Sequence, residues 1–194
     1  MDQYFSQHGE DRWIDEHVTL PSVGVAVEVG CGDPVRFSNT YWLEKRAWNC
    51  VLIEADPRNI PALNVARRGM VIHAAAVGPG QPHSVTLYQS PNTLLSSTRP
   101  GAKGEPVIVR AATLADLLDA RNIDQVDVLS VDTEGTELDV LAGADLEWFR
   151  PTVLIVEYAT RDLPDAAEAV MKSMAGSPYR LAHKTEGNLI FVRT

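Results

Sequence analysis

The sequence of 194 residues is short of cysteine, of positive charge and of long apolar runs. Its two cysteines, Cys31 and Cys50, lack a C-x-x-C spacing, so we expect no zinc site, no redox pair and no disulfide. Lysine and arginine number 17 against 26 acidic residues, and no basic run is present that could follow a phosphate backbone. No apolar segment approaches the ~20 residues of a membrane span. We therefore expect a soluble, cytoplasmic protein that binds neither nucleic acid nor membranes.

The apolar residues that are present form short buried segments. Hydrophobic residues make up 45% of the chain, enough for one well-buried domain over residues 1–194. Continuous runs rich in valine, isoleucine and leucine alternate with helical patterns, as in parallel sheets that are covered on both faces. We predict a single doubly wound Rossmann-like α/β domain, with a mostly parallel seven-stranded sheet and a terminal antiparallel hairpin. The predicted strands cover residues 25–30, 50–55, 71–77, 126–131, 152–158, 179–183 and 188–193.

Two segments depart from this alternation. Residues 1–20 predict an N-terminal helix that Ser6 can cap and that Leu20-Pro21 ends. Residues 79–105 contain four prolines and three glycines, with one short alternating strand at 84–88. We interpret residues 79–105 as a substrate-side excursion from the sheet.

A glycine turn follows the first predicted strand. Gly30 and Gly32 allow the backbone to turn sharply and to come close to a ligand. Glu54 ends the next strand, 24 positions after Gly30, where a carboxylate can chelate a ribose diol. A dinucleotide fingerprint would place a third glycine where Val35 stands, so a nicotinamide cofactor is disfavoured. Glu28 sets a carboxylate beside the turn, which suits a cationic ligand and would repel a pyrophosphate.

A group of carboxylates follows the predicted strand at 126–131. Asp132, Glu134 and Glu137 crowd its end, which is costly unless they bind a cation, share protons or hydrogen-bond to a helix terminus. For Glu134 and Glu137, a structural role as first-turn acids that favour the helix dipole is also open. The crowding predicts a reactive or cation-binding site at this strand end.

Together, these motifs resemble those of the FkbM-type methyltransferases, which use S-adenosylmethionine (SAM) and have the class I methyltransferase fold. The D-x-E-G-x-E block is the most specific of them, and Pro34 replaces a glycine that is common in the family. The resemblance implies methyl transfer from SAM to a hydroxyl of a small metabolite, such as a sugar or a polyketide. The matching motifs, in family order, are Ser6-Gln7 with Gly9-Glu10-Asp11, Gly30-Cys31-Gly32-Asp33, Ser38-Asn39-Thr40, Leu52-Ile53-Glu54, Asp132-Thr133-Glu134-Gly135-Thr136-Glu137 and Val156-Glu157-Tyr158.

The resemblance also implies roles for residues at the cofactor. The glycine turn borders the methionine part of SAM, Asp33 and Asn39 help to hold its polar groups, and Glu54 binds the ribose. Small residues at the strand ends flank the adenine. Glu28 either faces the cofactor or anchors the loop. The expected cofactor-binding residues are Glu28, Gly30, Cys31, Gly32, Asp33, Asn39, Glu54, Ala55 and Ala76.

Methyl transfer also requires removal of a proton from the acceptor. We expect Asp132 to be nearest the methyl group, with Glu134 close by, and His8 is another candidate base. Asp132 and Glu157 end adjacent predicted strands, where they could also bind Mg²⁺ through oxygen atoms. The catalytic candidates are therefore Asp132, Glu134, Glu157 and His8.

Other functions remain open at this stage. The chain could be a SAM-binding module without O-methyltransferase activity, or it could methylate a nitrogen or a carboxylate. Neither the acceptor nor the oligomeric state can be read from the residues.

Overall fold

The computed structural model describes residues 3–159 and 166–194. Its main sheet has the strand order β3-β2-β1-β7-β8-β10-β9, and a smaller sheet has the order β4-β6-β5. The strands, in chain order, are β1 Val25–Val29, β2 Asn49–Glu54, β3 Met70–His73, β4 Ala75–Ala76, β5 Ser84–Gln89, β6 Glu105–Ala112, β7 Val128–Val131, β8 Val153–Glu157, β9 Tyr179–Lys184 and β10 Asn188–Arg193.

The main sheet confirms the predicted architecture. Strands β3, β2, β1, β7 and β8 are parallel, and β10 runs antiparallel between β8 and β9. The chain leaves β1 on one side towards β2 and later returns on the other side as β7. Because the strand order reverses there, the carboxyl ends of β1 and β7 border a crevice, which is where open α/β sheets bind ligands.

Helices cover both faces of this sheet. Alternate residues of β1 and β7 join two separate apolar clusters, one with α1, α2 and α3 and the other with α4, α5 and α7. None of the helices in the described part of the chain is both long and apolar enough to cross a membrane. The helices are α1 Glu10–His17, α2 Tyr41–Glu44, α3 Ile60–Ala66, α4 Leu114–Asp119, α5 Glu137–Ala142, α6 Leu146–Phe149 and α7 Ala167–Ser173.

The predicted start of the first helix was wrong. Ser6 is not the N-cap residue, because Gly9 takes a left-handed conformation with φ 82° and α1 begins only at Glu10, but the Ser6 hydroxyl still accepts the N–H of Asp11 in the first turn at 3.3 Å. Ser6 instead pairs with Phe37 in an isolated bridge, and its hydroxyl donates to the carboxylate of Asp11. The segment before α1 thus lies against the loop that follows β1.

The residues between β3 and α4 also differ from the prediction. The single strand expected at 71–77 is two strands, because β3 continues the main sheet whereas β4 pairs with β6 in the smaller one. The predicted strand at 84–88 is confirmed as β5, but its antiparallel partner β6 was missed. Ile108 breaks the apolar–polar alternation of the β6 sequence, since it stands at an outward-facing position and is 72% exposed.

Candidate active site

A pocket opens at the carboxyl ends of β1, β2, β7 and β8. Residues from the smaller sheet and from the 3-10 turn Thr93–Leu95 complete its wall. It brings together most of the site residues expected from the sequence. Those that line it are Glu28, Gly30, Cys31, Gly32, Asn39, Glu54, Ala55, Ala76, Asp132, Glu134 and Glu157.

The glycine turn is closely packed, and at Gly30 the backbone leaves no room for a side chain. Gly30 has φ 82°, and a Cβ on it would lie 1.6 Å from the carbonyl oxygen of Asp132. Gly32 has φ 53°, and a Cβ there would lie 2.5 Å from a methyl carbon of Leu94. Glycine at position 30 therefore allows two strand ends to meet, in addition to the ligand approach that the sequence predicted.

Glu54 lies at the end of β2 and faces the turn. Its carboxylate accepts the N–H of Gly32 at 2.8 Å and the N–H of Asp56 at 2.6 Å. Burial raises the pKa of Glu54, and the two amide donors oppose that rise. A carboxylate can accept about four hydrogen bonds, so Glu54 can brace the turn and still accept from a ligand hydroxyl.

Glu28 is buried beneath the same turn, and its carboxylate is hydrogen-bonded to other residues of the protein. Its oxygens accept from the Ser38 and Thr40 hydroxyls and from the Asn39 N–H, and Arg67 lies 3.3 Å away. These contacts fit the loop-anchoring role that the sequence left open for Glu28. Arg67 was missed as a support of the site, because 39 positions separate it from Glu28 and only the fold brings the two together.

Asn39 provides a test of whether SAM fits the pocket. The side chain is 4% exposed, and its Nδ2 donates to the Ser130 hydroxyl at 3.0 Å. Its Oδ1 has no hydrogen-bond partner among the described residues. A buried acceptor without a donor is costly, so the pocket is suited to a ligand that donates, as the ammonium group of SAM does. Ala55 and Ala74 to Ala76 give the same pocket a wall of small side chains that can lie against a flat ring.

Three carboxylates meet on the other side of the turn. One oxygen from each of Asp132, Glu134 and Glu157 lies within 4.8 Å of the others. Asp132 follows β7, and Glu157 ends β8, as the sequence predicted for adjacent strands. Glu134 itself has a left-handed backbone conformation, with φ 58°. This conformation is uncommon outside glycine and often occurs at functional sites.

The surroundings of these carboxylates favour a shared proton. Burial raises the pKa of Asp132 to about 7 and that of Glu157 to about 11. The charge of Asp132 is the next cause of the rise at Glu157. Near neutral pH, the Asp132–Glu157 pair therefore retains a proton that the two carboxylates share.

Glu10 and Asn188 adjoin Glu157 from the side of the terminal hairpin; Glu10 stood in a family motif without an assigned role, and Asn188 was missed. Asn188 pairs with Glu157 across β10 and β8, and its Nδ2 donates to Glu10 at 2.9 Å. Glu10 is fully buried and also accepts from the Thr185 hydroxyl at 2.7 Å. A lone asparagine at the start of the apolar run of β10 was the signal available in the sequence.

Two expected site residues lie outside the pocket wall. The Nδ1 atom of His8 is 3.8 Å from the carboxylate of the exposed Glu186, and its ring lies against Gly187. The carboxylate of Asp33 accepts the N–H groups of Val35 and Arg36 and so shapes the loop. The structure does not bring His8 together with the three carboxylates.

Glu137 has a structural place in this region. Its Oε1 accepts the N–H groups of Thr133 and Gly135 and the Thr133 hydroxyl. It therefore holds the loop that presents Glu134, which agrees with the structural role left open for it.

Comparison with known families gives a match over more than half of the chain. The family model described as "Methyltransferase FkbM domain" matches residues 28–180. The matched range contains the glycine turn and all three carboxylates. None of the curated proteins compared with the chain matches it.

Two solved structures are similar to the chain in fold. One is a TehB-like SAM-dependent methyltransferase from Corynebacterium glutamicum, with a TM-score of 0.51, 11% identity, and coverage of 96% of this chain and 88% of that chain. The other is fibrillarin from Aeropyrum pernix in complex with natively bound S-adenosyl-L-methionine, with a TM-score of 0.51, 9% identity, and coverage of 95% and 73%. At these identities the likeness concerns the fold alone.

Proposed function

The chain belongs to the FkbM methyltransferase family, and we propose that it transfers the methyl group of SAM to a hydroxyl of a small metabolite such as a sugar or a polyketide. One observation carries the proposal: the ionisable carboxylate of Asp132 lies beside the glycine turn, in the same pocket as Glu54 and Asn39. A base and a cofactor site thus share one cavity, as a transfer reaction requires.

In this proposal, the cofactor is bound by residues with spare hydrogen-bonding capacity. Glu54 accepts from the ribose hydroxyls, and the orphaned Oδ1 of Asn39 accepts from the ammonium group. The alanine wall contacts the adenine. When bound, SAM supplies an electrophilic methyl group next to a positive charge, which the acidic pocket accommodates.

In the same proposal, the carboxylates take up the proton that the acceptor hydroxyl loses. Asp132 accepts the proton of the acceptor hydroxyl as the new bond forms, and Glu157 remains protonated and limits the negative charge at the site. A carboxylate whose pKa lies near neutrality is a better base than one with an ordinary pKa. The raised pKa of Asp132 therefore suits it to this role.

The rest of the pocket wall supports a polar acceptor. Side chains with hydroxyl or amide groups line the pocket in addition to the proposed cofactor-binding residues. Such groups recognise hydroxylated molecules through hydrogen bonds. The overall charge of −9 disfavours nucleic acid as the acceptor. These polar residues are Gln7, Thr93, Ser96, Thr98, Thr133 and Thr136.

The cofactor assignment is tested by Glu54→Ala. We expect the affinity for S-adenosylhomocysteine, the product form of SAM, to fall at least about tenfold, because ribose hydroxyls lose a charged acceptor worth about 1.5–3 kcal/mol. Isothermal titration calorimetry measures it, with thermal unfolding of the same samples. Glu147→Ala, on the exposed surface of α6, is the matched control. Unchanged affinity in a folded Glu54→Ala variant would remove Glu54 from the cofactor site.

The base assignment predicts a definite pH dependence. Asp132 is a base only when ionised, so kcat should increase as pH rises through about 7 and level off above it. Below pH 7, the rate should fall about tenfold per pH unit, since the ionised fraction does so. The measurement is the rate of S-adenosylhomocysteine release, with an acceptor found by screening hydroxylated metabolites, between pH 5.5 and 9.

Magnesium-assisted deprotonation is the competing route in the same pocket. The spacing of the three carboxylates favours it, because Mg²⁺ takes carboxylate oxygens as ligands. It requires Glu157 to lose its proton, which the raised pKa opposes. Repeating the pH series after exhaustive EDTA treatment separates the routes: an unchanged profile agrees with direct deprotonation, and a loss that Mg²⁺ restores would contradict it.

A further inference from the structure

Arg36 is the one cationic residue among the described residues of an acidic pocket. Among the described residues that line the pocket, five carry carboxylates and Arg36 alone carries a positive charge. No carboxylate of the described chain lies within ion-pair distance of its guanidinium. Its charge is therefore not used to neutralise the pocket and is available to a ligand.

Arg36 and Phe37 are neighbouring exposed residues of the loop after β1, and their side chains are in contact. The Cζ atom of Arg36 lies 5.0 Å from the centre of the Phe37 ring, within the range of a cation–π contact. Phe37 has φ 69°, a costly conformation for a bulky residue, and its N–H donates to the carbonyl of Phe5 at 2.9 Å. The backbone N–H of Arg36 donates to the Oδ1 atom of Asp33 at 2.8 Å. The Phe37 ring thus gives the exposed guanidinium a preferred position beside the pocket.

The backbone of the glycine turn has few donors left for an anionic ligand group. The N–H of Gly30 donates to Ile53 and that of Gly32 donates to Glu54. The N–H groups of Val35 and Arg36 donate to Asp33, and Pro34 has no N–H at all. A carboxylate at this turn consequently needs a donor from a side chain.

From these observations we infer that Arg36 binds the carboxylate of the methionine part of SAM. The inference rests on the proposed function, because it requires SAM in this pocket. The guanidinium presents paired N–H donors that match a carboxylate. In this role, Arg36 replaces the donor that Pro34 removes from the turn.

The inference is tested with two ligands that differ in the methionine part. S-adenosylhomocysteine carries the carboxylate, whereas 5′-methylthioadenosine has the same nucleoside and sulfur without the amino-acid group. We expect Arg36→Gln to weaken S-adenosylhomocysteine roughly ten- to hundredfold, the range of a charged hydrogen bond, and to change 5′-methylthioadenosine by less than about twofold. Calorimetry measures both affinities. Arg12→Gln is the control, because Arg12 is an exposed arginine on α1 whose one ion-pair partner in the described part of the chain is Glu16.

The other outcomes are distinct. Equal weakening of both ligands would mean that Arg36 merely supports the pocket, and unchanged binding of both would mean that its charge serves something other than SAM; either result overturns the inference. If the wild-type protein binds neither ligand, the proposed function itself fails, and the inference fails with it.

Discussion

Asp132→Asn is expected to lower kcat for methyl transfer by about 10²- to 10⁴-fold, the usual contribution of a general base. Asparagine keeps the size of the side chain but cannot accept the acceptor's proton. The affinity for S-adenosylhomocysteine should stay within about threefold of wild type, because Asp132 acts on the acceptor and Glu54 and Asn39 hold the cofactor. The paired measurements are single-turnover methyl transfer and calorimetric titration.

Asp139→Asn is the matched control for this experiment. Asp139 is an exposed acid on α5, a short distance along the chain from Asp132, and it does not line the pocket. Its replacement should leave both the rate and the affinity near wild type. A methyl-transfer rate of Asp132→Asn within threefold of wild type would exclude Asp132 as the base.

Arg67→Met is expected to lower the free energy of unfolding by about 3–5 kcal/mol, the typical cost of breaking a buried ion pair. The Arg67 side chain is fully buried and contacts two buried carboxylates, Glu44 at 2.9 Å and Glu28 at 3.3 Å. Its guanidinium also donates to the carbonyl of Pro34 at 3.1 Å. Without it, two carboxylates remain in the interior with no positive partner.

Urea unfolding measures this loss, and the next residue provides the control. Arg68 has an exposed side chain in the same segment, so Arg68→Met should change stability by less than about 0.5 kcal/mol. Adding Glu44→Gln to Arg67→Met should recover part of the loss, because one of the stranded charges is then absent. If Arg67→Met cost no more than Arg68→Met, the buried network would not stabilise the fold.

The main sheet could be predicted because β1, β2, β7, β8 and β10 are continuous apolar runs. Such runs are buried on both faces, and their spacing leaves room for helices between them. β6 escaped prediction since it is half-exposed and Ile108 disturbs its alternation. The start of α1 was wrong because Ser6 is a good cap by type, whereas the left-handed Gly9 decides where the helix begins.

The site residues that could be predicted from the sequence are those that belong to a short motif. Gly30, Glu54 and Asp132 each follow or end a predicted strand, so parallel pairing brings them to one edge. The supporting contacts could not be read in this way. Glu10 and Asn188 meet across 178 positions, and only the folded chain selects Asn188 as the partner of Glu10. His8 shows the converse, since its place near a motif did not bring it to the three carboxylates.

The position of β10 in the sheet has a consequence for the order of events during synthesis. β10 is made after all the other described strands, yet it inserts between β8 and β9 and pairs with the strand that ends in Glu157. Until it leaves the ribosome, β8 has an open edge and Glu10 lacks its partner. Contacts so distant in sequence form slowly, because a long loop must close before they are made. The nascent enzyme should therefore stay inactive and exposed to aggregation until the strand order is complete, so chaperone dependence would concentrate in the interval before β10 emerges.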